Sequence, residues 1–147
     1  PSETVYLGAF RRGAVEAVGG YDPSLVRPFD GVEDMLARLE ARWAVCSNKR
    51  GEVGPRELAA LGWAPEVALF ADSFRGPKQL GPVLDALALD ARSIVFVGDT
   101  DHDRHAASQV GAAFVWAGWN PRVVPSPGDA VAATPPDLLA LIAQLSG

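Results

Sequence analysis

Short apolar segments that alternate with helix-like segments constrain the fold of this chain more than any other feature of its sequence. The apolar segments are residues 43–46, 67–70, 93–97 and 112–116, and none of them alternates polar with apolar side chains. Strands without that alternation are typical of a parallel sheet that is buried on both faces. The order of strands and helices therefore predicts an α/β fold, with helices on both faces of a parallel sheet.

Helices are predicted where apolar residues recur three and four positions apart, as they do from Val32 to Leu39. Further helices are predicted over residues 57–61, 82–87 and 103–110, and a last helix begins after Thr134. In a Rossmann-like sheet of this kind, ligands bind beyond the carboxyl ends of the strands. The residues that directly follow each strand are therefore the candidates for a functional site.

Residues 1–28 differ from the rest of the chain and are predicted to be the remnant of a helical cap or a connector, with the α/β core over residues 29–147. Apolar residues between Thr4 and Val18 favour a helix in that stretch. A strand over residues 4–10 is the alternative, because β-branched and aromatic side chains occur there.

Composition and charge exclude several classes of protein. The 147 residues contain 13 Lys and Arg against 18 Asp and Glu, a net charge of −5, which argues against nucleic-acid binding through a basic surface. No apolar run approaches the ~20 residues that span a membrane. The single cysteine, Cys46, excludes an internal disulfide framework and fits a reducing compartment. We therefore expect a cytoplasmic protein with no nucleic-acid or membrane partner.

Polar residues follow three of the predicted strands at the edge where such a sheet binds ligands. Ser47 and Asn48 follow the first strand, Lys78 lies after the second, and Asp99 and Asp103 follow the third. A pair of carboxylates suits Mg²⁺, which prefers oxygen ligands. A hydroxyl and an ammonium group beside the cation would stabilise a phosphoryl group. The alternative for the two aspartates is simple helix capping, because acidic side chains are favoured in the first turn of a helix.

Two other candidates have simpler explanations. His102 and His105 would suit Zn²⁺ together with Asp101 or Asp103, but no cysteine or third histidine supports that site, so we expect both histidines to be exposed on a helix. Cys46 lies inside an apolar strand and is expected to be a small core residue rather than a nucleophile.

Three segments resemble a known family. Residues 44–49, 76–78 and 95–103 are similar to the second, third and fourth motifs of the haloacid dehalogenase-like (HAD) superfamily, in its phosphoglycolate-phosphatase-like branch. The resemblance implies that Ser47 and Asn48 bind the phosphoryl group, and that Lys78 stabilises the phospho-enzyme and transition-state charge. It further implies that Asp99 ligates Mg²⁺, with support from Asp103. The implied activity is Mg²⁺-dependent hydrolysis of a small phosphorylated metabolite.

The sequence departs from the family pattern at two points. The opening motif of the family is a strand that ends in Asp-x-Asp-Gly-Thr, whose first aspartate is the nucleophile, and this motif does not occur before Ser47. The Lys-Pro pair of the third motif is Lys78-Gln79 here. We therefore expect the 147-residue chain to be inactive by itself.

The missing motif also raises a structural question, because its strand occupies the centre of the sheet in the family. Three candidates would fill that position: an upstream segment, which we prefer, residues 5–10 acting as a surrogate strand, or a partner chain. Two alternative functions remain open beside the phosphatase. One is a non-catalytic relic that binds phosphate or metal or serves as an interaction domain. The other is a haloacid dehalogenase, which needs no metal, so the Asp99–Asp103 pair argues against it.

Overall fold

The computed structural model of the protein describes residues 4–7, 11–12, 27–28, 31–39, 42–46, 51–52, 54–70, 72 and 80–146. Its strands are β1 (Thr4–Leu7), β2 (Arg11–Arg12), β3 (Arg27–Pro28), β4 (Arg42–Cys46), β5 (Val67–Leu69), β6 (Ile94–Gly98), β7 (Ala113–Ala117) and β8 (Val131–Ala132). Its α-helices are α1 (Val32–Arg38), α2 (Gly54–Leu61), α3 (Gly81–Leu87), α4 (Asp101–Val110) and α5 (Pro135–Ser146).

The main sheet has six strands in the order β5-β4-β1-β6-β7-β8, and every neighbouring pair is parallel. Helices connect most of the successive strands, as parallel pairing requires. The strands β2 and β3 form a separate antiparallel pair, in which Arg11 lies opposite Pro28. The predicted α/β fold with a parallel sheet is therefore confirmed.

The central position of the sheet is occupied by β1, the second of the three candidates and not the upstream segment that we preferred. Its Leu7 lies opposite Val45 of β4 and Val97 of β6. The backbone groups of β4 and β6 that face this position need hydrogen-bond partners, and a stretch rich in β-branched and aromatic residues supplies them. The predicted helix is therefore wrong at Thr4–Leu7, and these residues belong to the core sheet rather than to a cap remnant.

Helices cover both faces of the sheet, because successive residues of a buried strand point to opposite sides. On one face, Val95 and Val97 of β6 pack in a cluster that contains Val32 and Met35 of α1 and Leu138 of α5. On the other face, Ile94 and Phe96 of β6 pack with residues of α3 and α4: Val83, Leu87, Ala106 and Ala107. The buried strand β6 is thus enclosed by helices on both sides.

The predicted strands agree closely with the observed ones, and the helices differ mainly at their first residues. The helix α4 begins at Asp101 rather than at 103, because Thr100 is its N-cap and its hydroxyl accepts a hydrogen bond from the backbone N–H of Asp103. The helix α2 begins at Gly54 rather than at 57. None of the described helices has the length and apolar character needed to cross a bilayer.

Candidate functional site

The loop that follows β6 forms the candidate site. Five consecutive buried residues make up β6, and the chain then turns through Asp99 and Thr100 into α4. The neighbouring strand on one side is the central strand β1, and on the other it is β7. The carboxylate of Asp99 therefore lies at the carboxyl end of a central strand, which is the usual location of ligands in such sheets.

The carboxylate of Asp103 holds this loop in shape. Its Oδ2 atom accepts hydrogen bonds from the backbone N–H groups of Asp99, at 3.1 Å, and Thr100, at 3.3 Å. The hydroxyl of Thr100 in turn accepts from the N–H of Asp103, at 3.1 Å, so the two residues form a reciprocal capping box. Asp103 is only 1% exposed, and these bonds offset the cost of burying its charge.

Gly98 lets Asp103 approach the strand. A Cβ atom at this position would lie 2.6 Å from Oδ2 and 2.7 Å from Cγ of Asp103, closer than non-bonded atoms come. The carboxylate thus occupies the space that a side chain on residue 98 would fill. Glycine at the end of β6 is therefore required by the packing of the buried acid five residues later.

Asp99 is half-buried and is held from a different part of the chain. Its Oδ2 atom accepts a hydrogen bond from the side-chain amide of Asn120, at 2.8 Å. Asn120 lies in the loop after β7, the strand that pairs with β6. The candidate site is therefore built from the ends of two neighbouring strands.

The loop after β7, residues 118–130, is held at its other end by Asp129. One oxygen of Asp129 accepts from the indole N–H of Trp116, at 2.9 Å, and from the backbone N–H of Ser126, at 2.8 Å. The other accepts from the guanidinium of Arg104, at 3.0 Å. The hydrogen bond from Trp116 and then that from Ser126 lower the pKa of Asp129 below its ordinary value most. Desolvation opposes them by less than either hydrogen bond, and the charge of Arg104 lowers the pKa by less again. Residues 118–130 are thus tied to α4 and β7.

The structure brings two of the predicted site residues together and leaves three unassessed. Asp99 lies in the loop after β6 and Asp103 in the first turn of α4, and the backbone N–H of Asp99 donates a hydrogen bond to the carboxylate of Asp103. Ser47, Asn48 and Lys78 lie outside the described residues, so their positions remain predictions.

The other candidates have the environments that the sequence indicated. His102 and His105 are exposed on α4, and Cys46 is buried at the end of β4. Within the described part of the chain, no group of three or more His, Cys, Asp or Glu side chains is arranged to hold a metal ion. A zinc site at the histidines therefore gains no support.

The capping alternative accounts for Asp103 but not for Asp99. Asp103 is the N3 residue of the capping box, whereas Asp99 precedes the N-cap and its carboxylate contacts another loop. The hydrogen bonds that the described residues donate to both carboxylates come from backbone and side-chain N–H groups. Mg²⁺ commonly binds through one or two carboxylates and keeps several waters, so this pair fits such an ion.

Asn120 is the site residue that the sequence reasoning missed. It comes shortly after the predicted strand 112–116, and that strand is the neighbour of β6. The predicted site residues Ser47, Asn48, Lys78, Asp99 and Asp103 all follow the other three predicted strands. The same rule about carboxyl ends of parallel strands would have selected the loop that contains Asn120.

Comparison with known proteins identifies the family. Residues 13–117 match the sequence model of haloacid dehalogenase-like hydrolases. The chain belongs to this family. A curated relative from Xanthomonas campestris, named phosphoglycolate phosphatase, is 34% identical over 104 residues, which are 65% of this chain and 47% of the relative. The chain therefore spans about half the length of the curated relatives that it matches.

Solved structures agree with this family assignment. A HAD-superfamily hydrolase from Geobacter sulfurreducens superimposes with a TM-score of 0.70 at 22% identity, over 82% of this chain and 58% of that chain. A 2-haloacid dehalogenase from Pseudomonas syringae superimposes with a TM-score of 0.65 at 26% identity, over 81% of this chain and 54% of that chain. The fold of this chain is thus shared by proteins whose names differ in activity.

Proposed function

We propose that this protein is a Mg²⁺-dependent phosphatase for a small phosphomonoester of the phosphoglycolate type. In this proposal the metal binds at the loop that follows β6. The observation that carries the proposal is that Asp99, in the loop after β6, and the buried Asp103, in the first turn of α4, lie together at the carboxyl end of a strand beside the centre of the sheet. The substrate class rests on the curated relative named phosphoglycolate phosphatase.

The residues of the loop have distinct proposed roles. Asp99 is the metal ligand, since it is half-buried and outside the capping box. Asp103 acts chiefly by holding the backbone of Asp99 and Thr100 in place. Mg²⁺ bound there would offset the charge of the phosphoryl group. The proposed roles of Ser47, Asn48 and Lys78 are to bind that group and to stabilise its charge in the transition state.

A nucleophile is also required by this proposal. The reaction implied by the family proceeds through an aspartyl-phosphate that water then hydrolyses. The segment Gly8-Ala9-Phe10 follows the central strand β1, and Asp-x-Asp-Gly-Thr occurs nowhere in the 147 residues. We therefore expect these residues alone to bind the cation without hydrolysing a phosphoester.

The lack of Asp-x-Asp-Gly-Thr in the 147 residues favours a second candidate function, a non-catalytic domain that binds phosphate or metal. The chain's own β1 occupies the central position, and the three residues that follow it in sequence carry no carboxylate. In that case the Asp99 loop would bind a cation or a phosphorylated ligand without turnover.

Hydrolysis assays on the protein isolated from its source distinguish these candidates. The assays use 2-phosphoglycolate and p-nitrophenyl phosphate with Mg²⁺ or with EDTA, and 2-chloropropionate for halide release. We expect phosphate release that requires Mg²⁺ and falls at least ~100-fold in Asp99→Asn. Asp101→Asn is the matched control, because Asp101 is exposed in the first turn of α4, and it should keep full activity.

Three results would contradict the phosphatase proposal. Halide release without Mg²⁺ would indicate a dehalogenase. Full activity in Asp99→Asn would show that Asp99 is not the metal ligand. Metal binding with no hydrolysis of any of the compounds, in a protein that contains the Asp-x-Asp-Gly-Thr motif, would favour the non-catalytic domain.

A further inference from the structure

The hydrogen bond between Asn120 and Asp99 joins two loops that are 21 residues apart in sequence. We infer that Asn120 is a positioning residue for the metal site: its side-chain amide fixes the orientation in which the Asp99 carboxylate meets a bound cation. This inference rests on the proposed function, because it assigns Asp99 to the metal.

The amide of Asn120 is itself fixed on its other side. Its Oδ1 atom accepts a hydrogen bond from the backbone N–H of Arg122, at 3.1 Å. Rotation of the amide by 180° would place an NH₂ group against that N–H and an oxygen against the carboxylate of Asp99. Both contacts would then be lost, so the pair of hydrogen bonds selects the orientation that donates to Asp99.

The backbone of Asn120 is held as well. Its N–H donates to the carbonyl of Ala117 at the end of β7, and its carbonyl accepts from the N–H of Val123, both at 3.1 Å. Gly118, two residues earlier, donates to the carbonyl of Ala132, at 2.8 Å. The side chain that donates to Asp99 therefore belongs to a turn that backbone hydrogen bonds join to β7 and β8.

The chemistry of the donor fits a residue that serves a metal ligand. An amide N–H holds one carboxylate oxygen without cancelling the charge that attracts the cation, whereas a lysine or arginine in its place would compete with the cation. Carboxylates that bind metals are usually held by such outer hydrogen bonds, and removal of the partner typically lowers metal affinity about 10- to 100-fold.

The test measures Mn²⁺ binding by electron paramagnetic resonance, with Mn²⁺ as the probe in place of Mg²⁺. Asn120→Ser removes the amide donor but keeps a side-chain oxygen for the N–H of Arg122, as serine also forms turns of this type. Ser126→Ala is the matched control in the same loop, since the described contact of Ser126 with Asp129 uses its backbone N–H. Asp99→Asn reports on the metal site itself, and urea unfolding reports on the stability of each variant.

We expect Asn120→Ser to bind Mn²⁺ about 10- to 100-fold more weakly than the unaltered protein, with the same urea midpoint, and Ser126→Ala to bind normally. Normal binding in Asn120→Ser with weak binding in Asp99→Asn would overturn the role of Asn120 and leave the metal site standing. Mn²⁺ binding that is unaffected by Asp99→Asn, or no Mn²⁺ binding in the unaltered protein, would overturn both the role of Asn120 and the metal site at Asp99.

A second measurement covers the case in which Asn120→Ser does not fold. In the unaltered protein, the Asn120 side-chain amide resonances should shift when Mg²⁺ is added, because their acceptor is the proposed ligand. The same resonances should not respond to Mg²⁺ in Asp99→Asn. The inference would be overturned if Mg²⁺ left the Asn120 side-chain amide resonances of the unaltered protein unchanged while it shifted the backbone resonances of Asp99.

Discussion

Gly98 and Asp103 show how single residues shape the candidate site. The buried carboxylate of Asp103 lies where a side chain at residue 98 would be. It accepts hydrogen bonds from the backbone N–H groups of Asp99 and Thr100. A sequence pattern of glycine, aspartate and a second aspartate four residues later therefore has a packing reason as well as a chemical one.

The first prediction concerns Gly98→Ala. The added methyl group would displace Asp103 and thereby loosen the Asp99 loop, so we expect the free energy of unfolding to fall by about 1–3 kcal/mol, as in other overpacked sites. Urea unfolding measures this. The matched control is Gly81→Ala at the start of α3, where nothing lies within 4 Å of an added Cβ. Equal stability of both variants would contradict the close approach of Asp103 to Gly98.

The second prediction concerns the pKa of Asp129, which the indole of Trp116 lowers most. Since the pKa is lower in the folded than in the unfolded protein, Asp129 stabilises the fold at pH values above its unfolded pKa. That contribution is lost as the pH falls through the folded value. Trp116→Phe removes the indole donor, so the pKa should rise toward its ordinary value, as measured by carboxyl NMR titration. Trp43→Phe on β4 is the control, and a Trp116→Phe protein with an unchanged Asp129 pKa would contradict the assignment.

At the scale of elements, the central strand has the largest consequences. The strand β1 pairs along its whole length with both β4 and β6, although it lies in the part of the sequence that looked least like the core. A strand that ends in Asp-x-Asp, as in the family's opening motif, would occupy the same position. Strand β1 and a strand of that kind cannot both pair with β4 and β6. The identity of the central strand therefore decides whether an aspartate nucleophile can follow it.

The third prediction tests this strand with Tyr6→Pro. Proline lacks an N–H and disrupts the ladder of a central strand, so we expect a loss of about 3 kcal/mol or more in the free energy of unfolding. Tyr6→Val is the comparison, because valine keeps the N–H and favours strands, and it should cost less. A Tyr6→Pro protein as stable as Tyr6→Val would show that Thr4–Leu7 is not the central strand in solution.

At the scale of the whole molecule, metal binding and stability are linked. An ion that binds only the folded protein raises the free energy of unfolding by about 1.4 kcal/mol when its concentration is ten times Kd. The net charge of −5 means that any divalent cation also screens repulsion between carboxylates. A specific site must therefore be distinguished from general screening.

The fourth prediction follows from this linkage. Addition of Mg²⁺ should raise the urea midpoint of the 147-residue chain above that in KCl of equal ionic strength. Asp99→Asn should remove this difference, because the proposed ligand is lost, whereas Asp101→Asn should keep it. An equal effect of Mg²⁺ on all three proteins would mean that the ion acts by screening alone.

The candidate site was only partly predictable from the sequence. The sequence predicts Asp99 and Asp103 because both lie within five residues of the end of a recognisable strand, and local hydrogen bonds join them. The contact between Asn120 and Asp99 depends on the pairing of β6 with β7 and on the turn that follows β7. The rule about carboxyl ends of parallel strands selects the loop after β7 as a candidate, but no local pattern in the sequence indicates which residue of that loop contacts Asp99.

The sequence by itself determined the α/β class, the positions of β4, β5, β6 and β7 and the acidic loop after β6, because apolar periodicity and capping act over a few residues. Only the tertiary structure decided that Thr4–Leu7 is the central strand, that Asp103 is buried against Gly98, and that Asn120 holds Asp99. The physical reason is that a free strand edge or a half-buried carboxylate needs a partner, and the partner is chosen by proximity in space among residues far apart in the chain.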